Sequence, residues 1–427
     1  MKLISISLSF FGLLLLPMVC ISTAEAAEPI DFHTADSLLL ARSHDLRLAR
    51  RDVDAAEGQL AQSRLYDNPT MSVMYNVRNP VNRRWFDPGR EGELDVQVSQ
   101  PFAIGGQHSE QVRQSAAQLS ASRSQLQLTR RDLLAQAHTA LIDLYYRQQQ
   151  AAVYDLEIAS VQRILAAYSE QSAKGNVAGM EAARIKTMLC QLSKQRADLL
   201  VGVSGLQAQL RSLLGIEGAE PVTAVIDERK ALDEAAKLCT ALTSGGGAAP
   251  VDTLPEMQAL SAQAEAARHG LKWQRSQALP QMAVQGEYDK NGNIGHNFYA
   301  VGLSLSLPLW NRNRGNIRSG KAAVEQAAIE MERRRLELAQ QRAQDLVIVR
   351  QYLPRPADAS AVTDDDLGRM LQAAEKQYMN RHITLLEFVD LYSNYRDTRL
   401  ALLDARSQAL QAAERLRMIW GGETAQH

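Results

Sequence analysis

Four short segments of the chain alternate apolar and polar residues. Residues 70–78 and 94–101 form one pair, and residues 281–288 and 299–307 form a second pair. A period of two places alternate side chains on opposite faces of a β-strand. The pattern therefore predicts two β-hairpins, each with one apolar and one polar face. The expected polar-face residues are Gln97, Ser99, Gln285, Ser304 and Ser306, and the expected apolar-face residues include Val96, Val98, Leu303 and Leu305.

The rest of the chain has the composition of helices, and some of these helices are long. Residues 34–65 are rich in Ala, Leu, Arg and Gln, and residues 103–173 contain no proline. At about 1.5 Å per residue, the second of these segments predicts a helix on the order of 100 Å long. Residues 312–351 begin the corresponding helix of the second half, which Pro354 interrupts and which Thr363 restarts as an N-cap. No strand is expected outside the hairpins.

Short stretches of the first half recur in the second half at a nearly constant spacing. The matched stretches are 68–73 with 279–284, 99–102 with 306–309, and 210–215 with 416–421. Recurrence at a fixed spacing indicates that one structural unit has been duplicated. The predicted organisation is a first repeat at 27–216, a linker or equatorial segment at 217–253, a second repeat at 254–421 and a short tail at 422–427.

The first 26 residues have the pattern of a secretory signal peptide. Lys2 precedes an apolar run at 3–19, and the small residues Ala24 and Ala26 follow it. A retained N-terminal anchor is the alternative. Cys20 does not indicate a lipoprotein, because a lipoprotein signal needs small residues just before its cysteine. The predicted location of the mature chain is therefore beyond the inner membrane of a two-membrane bacterium.

Composition excludes several classes of protein. The 427 residues include 47 Lys and Arg against 48 Asp and Glu, so charge gives no reason to expect a nucleic-acid partner. Three cysteines are too few for a disulfide-framed scaffold. Cys190 and Cys239 could pair in an oxidising compartment, and the sequence does not decide whether they do.

The hairpins have a physical consequence if they cross a membrane. Strands of about 8–11 residues are long enough to span an outer membrane. Open sheet edges are not tolerated in lipid, and four strands are too few to close a barrel. Several copies of the chain must then share one barrel: two would form a filled bore, and three a channel. The alternative, a soluble α+β protein with surface hairpins, leaves the long helices without a partner.

The combination of a signal peptide with two helix–hairpin–long-helix–helix repeats resembles a TolC-type outer-membrane factor. The resemblance covers residues 34–216 and 254–421. Residues 94–109 and 303–317 resemble the two strand-to-helix junctions of the family, and both look most similar to its CzcC-like, heavy-metal cation branch. The junction residues are Pro101, Gly105, Gly106 and Pro308.

The resemblance implies both a fold and a function. The implied fold is mainly α with transmembrane β: a trimeric 12-stranded β-barrel in the outer membrane, continued by an α-helical tunnel through the periplasm. The implied function is the passive exit duct of a tripartite efflux system that exports heavy-metal cations. Its implied partners are a periplasmic adaptor and an inner-membrane transporter of the RND type. An enzymatic activity, a cofactor and nucleic-acid binding are not expected.

The resemblance also assigns roles to the far ends of the helices. Residues 168–184 and 378–390 resemble the helical tips that contact the adaptor. The residues at these tips are Lys174, Gly175, Asn176, Arg381 and His382. Gly175 matches the usual turn glycine of the family, whereas Arg381 stands at the corresponding place in the second repeat.

Two acidic residues of the second tip match a constriction of the family. Glu387 and Asp390 are three residues apart, so a helix would place them on one face. In a trimer they would form a ring of carboxylates that attracts cations. A solvated helix face with two acids is the alternative interpretation.

No metal site and no catalytic residue are predicted. None of the eight histidines has a second His, Cys or carboxylate at the spacing of a metal site. Cys190 has no neighbouring base. Multidrug efflux and type I secretion remain alternative functions, and a periplasmic adaptor is the alternative of another class. Adaptors carry one helical hairpin and no duplicated strand pairs, so the repeats argue against that class.

Overall fold

A computed structural model of the chain describes residues 28–79, 82–173, 179–244, 250–292, 295–353 and 364–420. The elements of the first half are β1 (Glu28–Ile30), α1 (Phe32–Arg42), α2 (His44–Ser63), β2 (Thr70–Tyr75), β3 (Leu94–Phe102), α3 (Gln107–Ala173) and α4 (Gly179–Leu214). Those of the second half are β4 (Val222–Ala224), α5 (Glu228–Thr243), α6 (Pro255–Ser276), β5 (Gln281–Gly292), β6 (Gly295–Ser306), α7 (Arg314–Tyr352), α8 (Asp364–Met379) and α9 (Leu385–Trp420). Helix, hairpin and long helix follow one another twice, as predicted.

The two hairpins lie side by side in one antiparallel sheet with the strand order β2-β3-β5-β6. Compared with the predicted bounds, β2 ends earlier, at Tyr75, and β5 continues to Gly292. Within the described part of the chain, β2 and β6 each have a neighbouring strand on one side only. The sheet of a single chain is therefore open at both edges.

The strand register confirms the predicted faces. The Gln97 side-chain amide donates a hydrogen bond to Gln285 Oε1 at 3.3 Å across β3 and β5, which places both residues on the polar face. On the opposite face, Val98 lies between Met71 of β2 and Gly286 of β5. Residues directly opposite one another in antiparallel strands share a face. The alternation of the sequence is thus preserved across the whole sheet.

The first predicted helix is two helices. The sequence predicts one helix over 34–65, but the structure divides it at Ser43, whose extended backbone ends α1. The Ser43 hydroxyl accepts a hydrogen bond from the Leu46 N–H at 3.5 Å and caps α2. Asp31 caps α1 in the same way through the Thr34 N–H, at 2.8 Å. Serine and aspartate are preferred at this position because they satisfy free N–H groups of the first turn.

The prediction of very long helices is confirmed. Helix α3 has 67 residues, so its length is on the order of 100 Å. It begins at Gln107 rather than at 103, because Gly106 has a φ of +77° and cannot continue a helix. Helix α7 has 39 residues. The predicted interruption at Pro354 and the N-cap at Thr363 lie outside the described residues.

The prediction of no strand outside the hairpins is wrong. Strand β1 pairs in parallel with β4, with Ile30 opposite Ala224. These three-residue strands carry too little alternation to be recognised, and their partners are far apart in the chain. The segment predicted as a linker also contains α5, whose Ala235 and Leu242 are buried against the second repeat. It is therefore an integral part of the packed structure.

Three apolar clusters lie along the helices. One surrounds β1 and β4 and contains residues of α1, α3 and α4; a second joins α5 to α7 and α9; a third lies at the ends of α3, α4, α8 and α9. None of the helices in the described ranges combines the length and the apolar composition needed to cross a bilayer. The clusters join the first repeat to the second, since α3 and α9 contribute to them together.

Candidate functional site

The first strand-to-helix junction is fastened to the second repeat by a glutamine. The Gly105 N–H donates to Gln107 Oε1 at 2.9 Å, and the Gln107 amide donates to the Leu279 carbonyl at 3.5 Å. A Cβ at Gly105 would lie 2.8 Å from the Leu279 side chain, so this contact requires glycine. Of the other predicted junction residues, Pro101 lies within β3, opposite Ala283. The junction is therefore a packed connection between the repeats.

An asparagine fastens the second junction to α6 of its own repeat. Pro308 follows the end of β6, and Asn313 precedes α7 with a φ of +56°. The Asn313 side-chain amide donates to the backbone carbonyl of Gln274 and to its Oε1, both at 2.8 Å. Asparagine tolerates the left-handed conformation better than most residues because its side chain bonds locally. Asn313 was not among the predicted site residues.

The turn between α8 and α9 lies at the end of the helices far from the sheet. Arg381 has a φ of +61° there. Its N–H donates to the Tyr378 carbonyl at 2.9 Å, and the His382 N–H donates to the Gln377 carbonyl at 2.9 Å. This is the hydrogen-bond pattern of a Schellman motif, in which the left-handed position is usually glycine. The structure thus explains why a glycine is expected where this chain has Arg381.

Replacing Arg381 by glycine is expected to stabilise this turn. The left-handed backbone conformation costs a non-glycine residue about 1–2 kcal/mol, and glycine removes this cost. Glycine also loses more conformational entropy on folding than arginine does, which offsets part of the gain. The expected net gain is about 0.5–1 kcal/mol in the free energy of unfolding. Denaturant unfolding followed by circular dichroism measures it, with Arg381→Ala as the control that keeps the strain. Equal stability of the two variants would contradict this account.

Glu387, predicted as a gate residue, also stabilises the start of α9. Its Oε2 accepts hydrogen bonds from the Thr384 N–H at 2.8 Å and from the Thr384 hydroxyl at 2.9 Å. The Thr384 Oγ1 accepts in return from the Glu387 N–H at 3.3 Å. This reciprocal pair is a capping box, and the sequence spacing Thr-x-x-Glu signals it. Hydrogen bonds from the Thr384 N–H and hydroxyl lower the pKa of Glu387, so it is charged at neutral pH.

Asp390 is exposed on α9, one turn beyond Glu387. It accepts a hydrogen bond from the Asn394 side-chain amide at 3.2 Å. The two acids are therefore both exposed near the start of α9. Residues Lys174, Gly175 and Asn176, predicted at the other tip, lie outside the described residues. Helix α4 begins just after them, and its Met180 is 76% exposed.

Aromatic packing joins the second tip to the first repeat. The rings of Tyr378 and Phe388 stack at 4.5 Å between centroids, and those of Phe388 and Tyr392 lie 4.2 Å apart. The hydroxyl groups of Tyr392 and Ser160 are hydrogen-bonded at 2.5 Å. Arg163 of α3 pairs with Glu375 of α8 at 2.9 Å. Helices α8 and α9 are thus held against α3 close to the tip.

A buried ionic network, which the sequence analysis missed, connects three helices. His138 of α3 is 1% exposed. Its Nδ1 lies 2.5 Å from Glu414 Oε1, and its Nε2 lies 2.6 Å from Asp36 Oδ1. Arg417 also binds Glu414, at 2.7 Å. Burial lowers the pKa of His138, but hydrogen bonds to Asp36 and Glu414 outweigh it and raise the pKa to about 9.

Glu157 of α3 is the opposite case, a buried carboxylate with little compensation. It is fully buried, and in the part of the chain that the structure describes neither of its oxygens accepts a hydrogen bond. Its ion partner is Arg396 of α9, whose Nη1 lies 3.7 Å from Glu157 Oε1. Burial raises the pKa of Glu157 to about 7, although the Arg396 charge lowers it and Asp397 raises it. No local sequence pattern distinguishes Glu157 from a surface acid.

Metal ligands and cysteines add no further site within the described ranges. These contain no group of three or more His, Cys, Asp or Glu residues placed to hold a metal ion. The tip histidine His382 is exposed. Cys190 and Cys239, which the sequence left free to pair, are both free thiols in this structure.

Comparisons with known proteins agree with this architecture. The outer membrane efflux protein family matches residues 36–216 and 253–422. The chain is 22% identical over 330 residues to the cobalt-zinc-cadmium resistance protein CzcC of Cupriavidus metallidurans, covering 75% of this chain and 73% of CzcC. It is 24% identical over 331 residues to the nickel and cobalt resistance protein CnrC of the same species, covering 76% and 73%.

A solved structure shows the same fold. The Campylobacter jejuni CmeC outer membrane channel superposes with a TM-score of 0.71 over 92% of this chain and 87% of CmeC, at 14% identity. The family match covers both repeats. Proteins of this family work with a periplasmic adaptor and an inner-membrane transporter. The chain therefore belongs to the outer membrane efflux protein family, and is an outer-membrane channel protein that extends into the periplasm.

Proposed function

We propose that three copies of this chain close one twelve-stranded barrel and that their helices continue it as a periplasmic tunnel. The supporting observation is the four-stranded sheet with two open edges, β2 and β6. Unpaired backbone groups are too costly to expose to lipid, so the edges must pair with other copies. Three copies give twelve strands and a bore wide enough for a channel. We also propose that the mature chain begins after residue 26 and that its two repeats comprise residues 27–216 and 254–421.

The cargo of this duct is heavy-metal cations. Its support is the pair of relatives named for resistance to cobalt, zinc, cadmium and nickel. A passive duct needs no tight metal site, because strong binding would slow release. Energy comes from an inner-membrane transporter of the RND type, through a periplasmic adaptor. The tip residues Arg381 and His382, together with residues 174–176, contact that adaptor.

Growth of a deletion strain tests the cargo. The strain is grown on graded salts of cobalt, zinc, cadmium and nickel, and on a panel of drugs and detergents, with and without the wild-type gene. The expected result is sensitivity to the metals that complementation reverses. Sensitivity confined to drugs and detergents would contradict the metal proposal and support a multidrug duct. Loss of a secreted protein alone would support type I secretion.

Glu387 and Asp390 form a cation-attracting constriction in the trimer. Both are exposed at the tip end of α9, and Glu387 is held in its charged form by Thr384. Six carboxylates around one axis raise the local cation concentration, an effect that decreases with ionic strength. Glu387 is also the partner of Thr384 in the capping box of α9, so a test must separate its charge from its role in capping.

The double variant Glu387→Gln with Asp390→Asn is expected to lower cation selectivity in planar bilayers. Glutamine retains the capping box, so the helix start stays intact while the charge is removed. The expected result is a reversal potential in a salt gradient that moves toward zero, with the shift smaller at high salt. Asp404→Asn, at an exposed acid farther along α9, is the matched control. Unchanged selectivity in the double variant would leave the pair as an ordinary solvated helix face.

A further inference from the structure

The loop of the first hairpin, residues 76–93, lies at the outer end of the sheet. Strand β2 follows α2, and β3 leads into α3, so the helices leave the sheet at its opposite end. Because the helices extend into the periplasm, this loop faces the cell exterior. Only residues 293–294 separate β5 from β6, so the first hairpin provides most of the loop surface at this end.

Two side chains at the outer end of the sheet belong to its apolar face. Val98 lies on that face, between Met71 of β2 and Gly286 of β5. Tyr75 and Lys290 each lie four residues farther along the same two strands. Side chains of a strand alternate between its faces with a period of two. Tyr75 and Lys290 therefore project from the apolar face.

Tyr75 and Lys290 hold the loop over this face. The Tyr75 hydroxyl donates a hydrogen bond to the Asp87 carbonyl at 2.5 Å. Lys290 Nζ donates to the carbonyl groups of Pro88 and Gly89, at 3.2 and 2.8 Å. In the proposed barrel the apolar face meets lipid. This part of the loop therefore lies at the outer border of the lipid-facing surface and not over the bore.

The loop has a defined shape that exposes two aromatic rings. The Phe86 N–H donates to the Val77 carbonyl, and the Asn79 N–H donates to the Arg84 carbonyl, both at 2.9 Å. Trp85 and Phe86 are nevertheless 67% and 61% exposed. Exposed aromatic side chains are typical of the border between lipid and water. Their position is therefore consistent with a loop at the level of the lipid headgroups.

Four exposed arginines accompany these rings, and they have no carboxylate partners. They are Arg78, Arg83, Arg84 and Arg90. Arg78 lies over the Trp85 ring, 5.8 Å from its centroid. Among the residues that the structure describes, none of the four arginines forms an ion pair. The guanidinium groups are therefore available to an external anion.

The acidic residues of the loop have hydrogen-bond donors within the loop itself. Asp87 is buried, and its carboxylate accepts hydrogen bonds from the Asn82 side chain and from a backbone N–H. Glu91 accepts from the Asn82 side-chain amide at 3.2 Å, and Glu93 from the Asn76 side-chain amide at 3.3 Å. These contacts explain how three acids and four arginines share one loop without pairing.

We propose that Arg83, Arg84 and Arg90 bind the phosphate groups of a lipid in the outer leaflet of the outer membrane. A guanidinium group binds phosphate through paired, charge-assisted hydrogen bonds. Basic groups next to a lipid-facing surface attract anionic headgroups. The inference rests on the proposed barrel, because only in the barrel does the apolar face under this loop meet lipid.

Lipid binding by the purified full-length protein tests the proposal. Protein in dodecyl maltoside is titrated with lipid A that carries two phosphate groups, and separately with the same lipid after both phosphates are removed. Native mass spectrometry counts the bound lipids and the chains in each particle. The loop variant is Arg83→Gln with Arg84→Gln and Arg90→Gln. The matched control replaces three exposed arginines of α2, α5 and α7: Arg47→Gln, Arg229→Gln and Arg318→Gln.

The expected result is at least about tenfold weaker binding of phosphorylated lipid A by the loop variant, because each charge-assisted hydrogen bond contributes to affinity. The control variant should bind as the wild type does, and dephosphorylated lipid A should bind weakly to all three proteins. Equal binding by the wild type and the loop variant, both as trimers, would overturn the lipid site alone.

Two further outcomes separate this site from its alternatives. Complete displacement of lipid A by millimolar inorganic phosphate would overturn a lipid as the ligand and indicate a site for a dissolved anion. A wild-type monomer that still binds phosphorylated lipid A, with the loss in the loop variant, would overturn the proposed trimer and support the lipid site.

Discussion

Replacing His138 by alanine is expected to cost about 3–5 kcal/mol of folding free energy, the range found when one partner of a buried ionic group is removed. The imidazole lies between Glu414 and Asp36, at 2.5 and 2.6 Å. Its loss leaves the Glu414 carboxylate buried with only Arg417 beside it. Denaturant unfolding of detergent-solubilised protein, followed by circular dichroism, measures the change. The exposed His382→Ala is the matched control and should change stability by less than about 0.5 kcal/mol.

The pH dependence of the wild type gives a second measure of the same network. The pKa of His138 is raised from 6.5 to about 9 in the folded state. The folded protein then holds the proton more tightly than the unfolded chain, so the contribution is complete below pH 6.5 and is lost as pH rises through about 9. His138→Ala should remove this decline. A decline of equal size in the variant would show that His138 is not its source.

Replacing Glu157 by glutamine is expected to stabilise the protein at alkaline pH. The fully buried carboxylate has a pKa raised from 4.5 to about 7, mainly by burial. One pKa unit corresponds to about 1.4 kcal/mol, so ionisation of Glu157 costs about 3 kcal/mol above neutral pH. Glutamine has the shape of the protonated acid and avoids this cost. The expected gain at pH 8 is about 2–3 kcal/mol in the free energy of unfolding.

The pH dependence of stability that Glu157 contributes has the opposite sign to that of a carboxylate in a strong ion pair. Because the folded state raises the pKa of Glu157, folding is favoured at low pH, and stability falls as pH rises from 4.5 to about 7. The gain from Glu157→Gln should therefore vanish by pH 4.5. Unfolding measured at several pH values tests this, with Glu332→Gln at an exposed acid of α7 as the control. A gain that is the same at all pH values would indicate a packing effect instead.

The two buried groups were invisible to sequence analysis for a common reason. His138 and Glu414 are far apart in the chain, and each alone is an ordinary residue of a long helix. Nothing in the neighbouring residues shows that α3 and α9 face one another at this point. Glu157 and Arg396 come from the same two helices and were missed in the same way. The pattern of residues within one helix predicts which face is buried, but it does not show which other helix packs against that face.

Features that depend on contacts between residues a few positions apart in the sequence can be predicted from the sequence alone. The Thr384 and Glu387 capping box is readable as Thr-x-x-Glu, although Glu387 was considered only as a gate residue. The absence of glycine at Arg381 was noticed from the sequence, and the left-handed φ of this residue is the reason that glycine is usual there. The division of the first helix at Ser43 is also a local feature, but it was missed because serine inside a helical pattern is common.

The sequence by itself determined the two hairpins, the assignment of their faces, the long helices and the duplication. These follow from periodicity and from repeated stretches, which are properties of neighbouring residues along the chain. Tertiary structure alone decided the order of the strands, the pairing of β1 with β4 and the neighbours of His138 and Glu157. Each of these depends on contacts between segments that are distant in sequence. The free energy of such tertiary contacts cannot be deduced from the pattern of neighbouring residues.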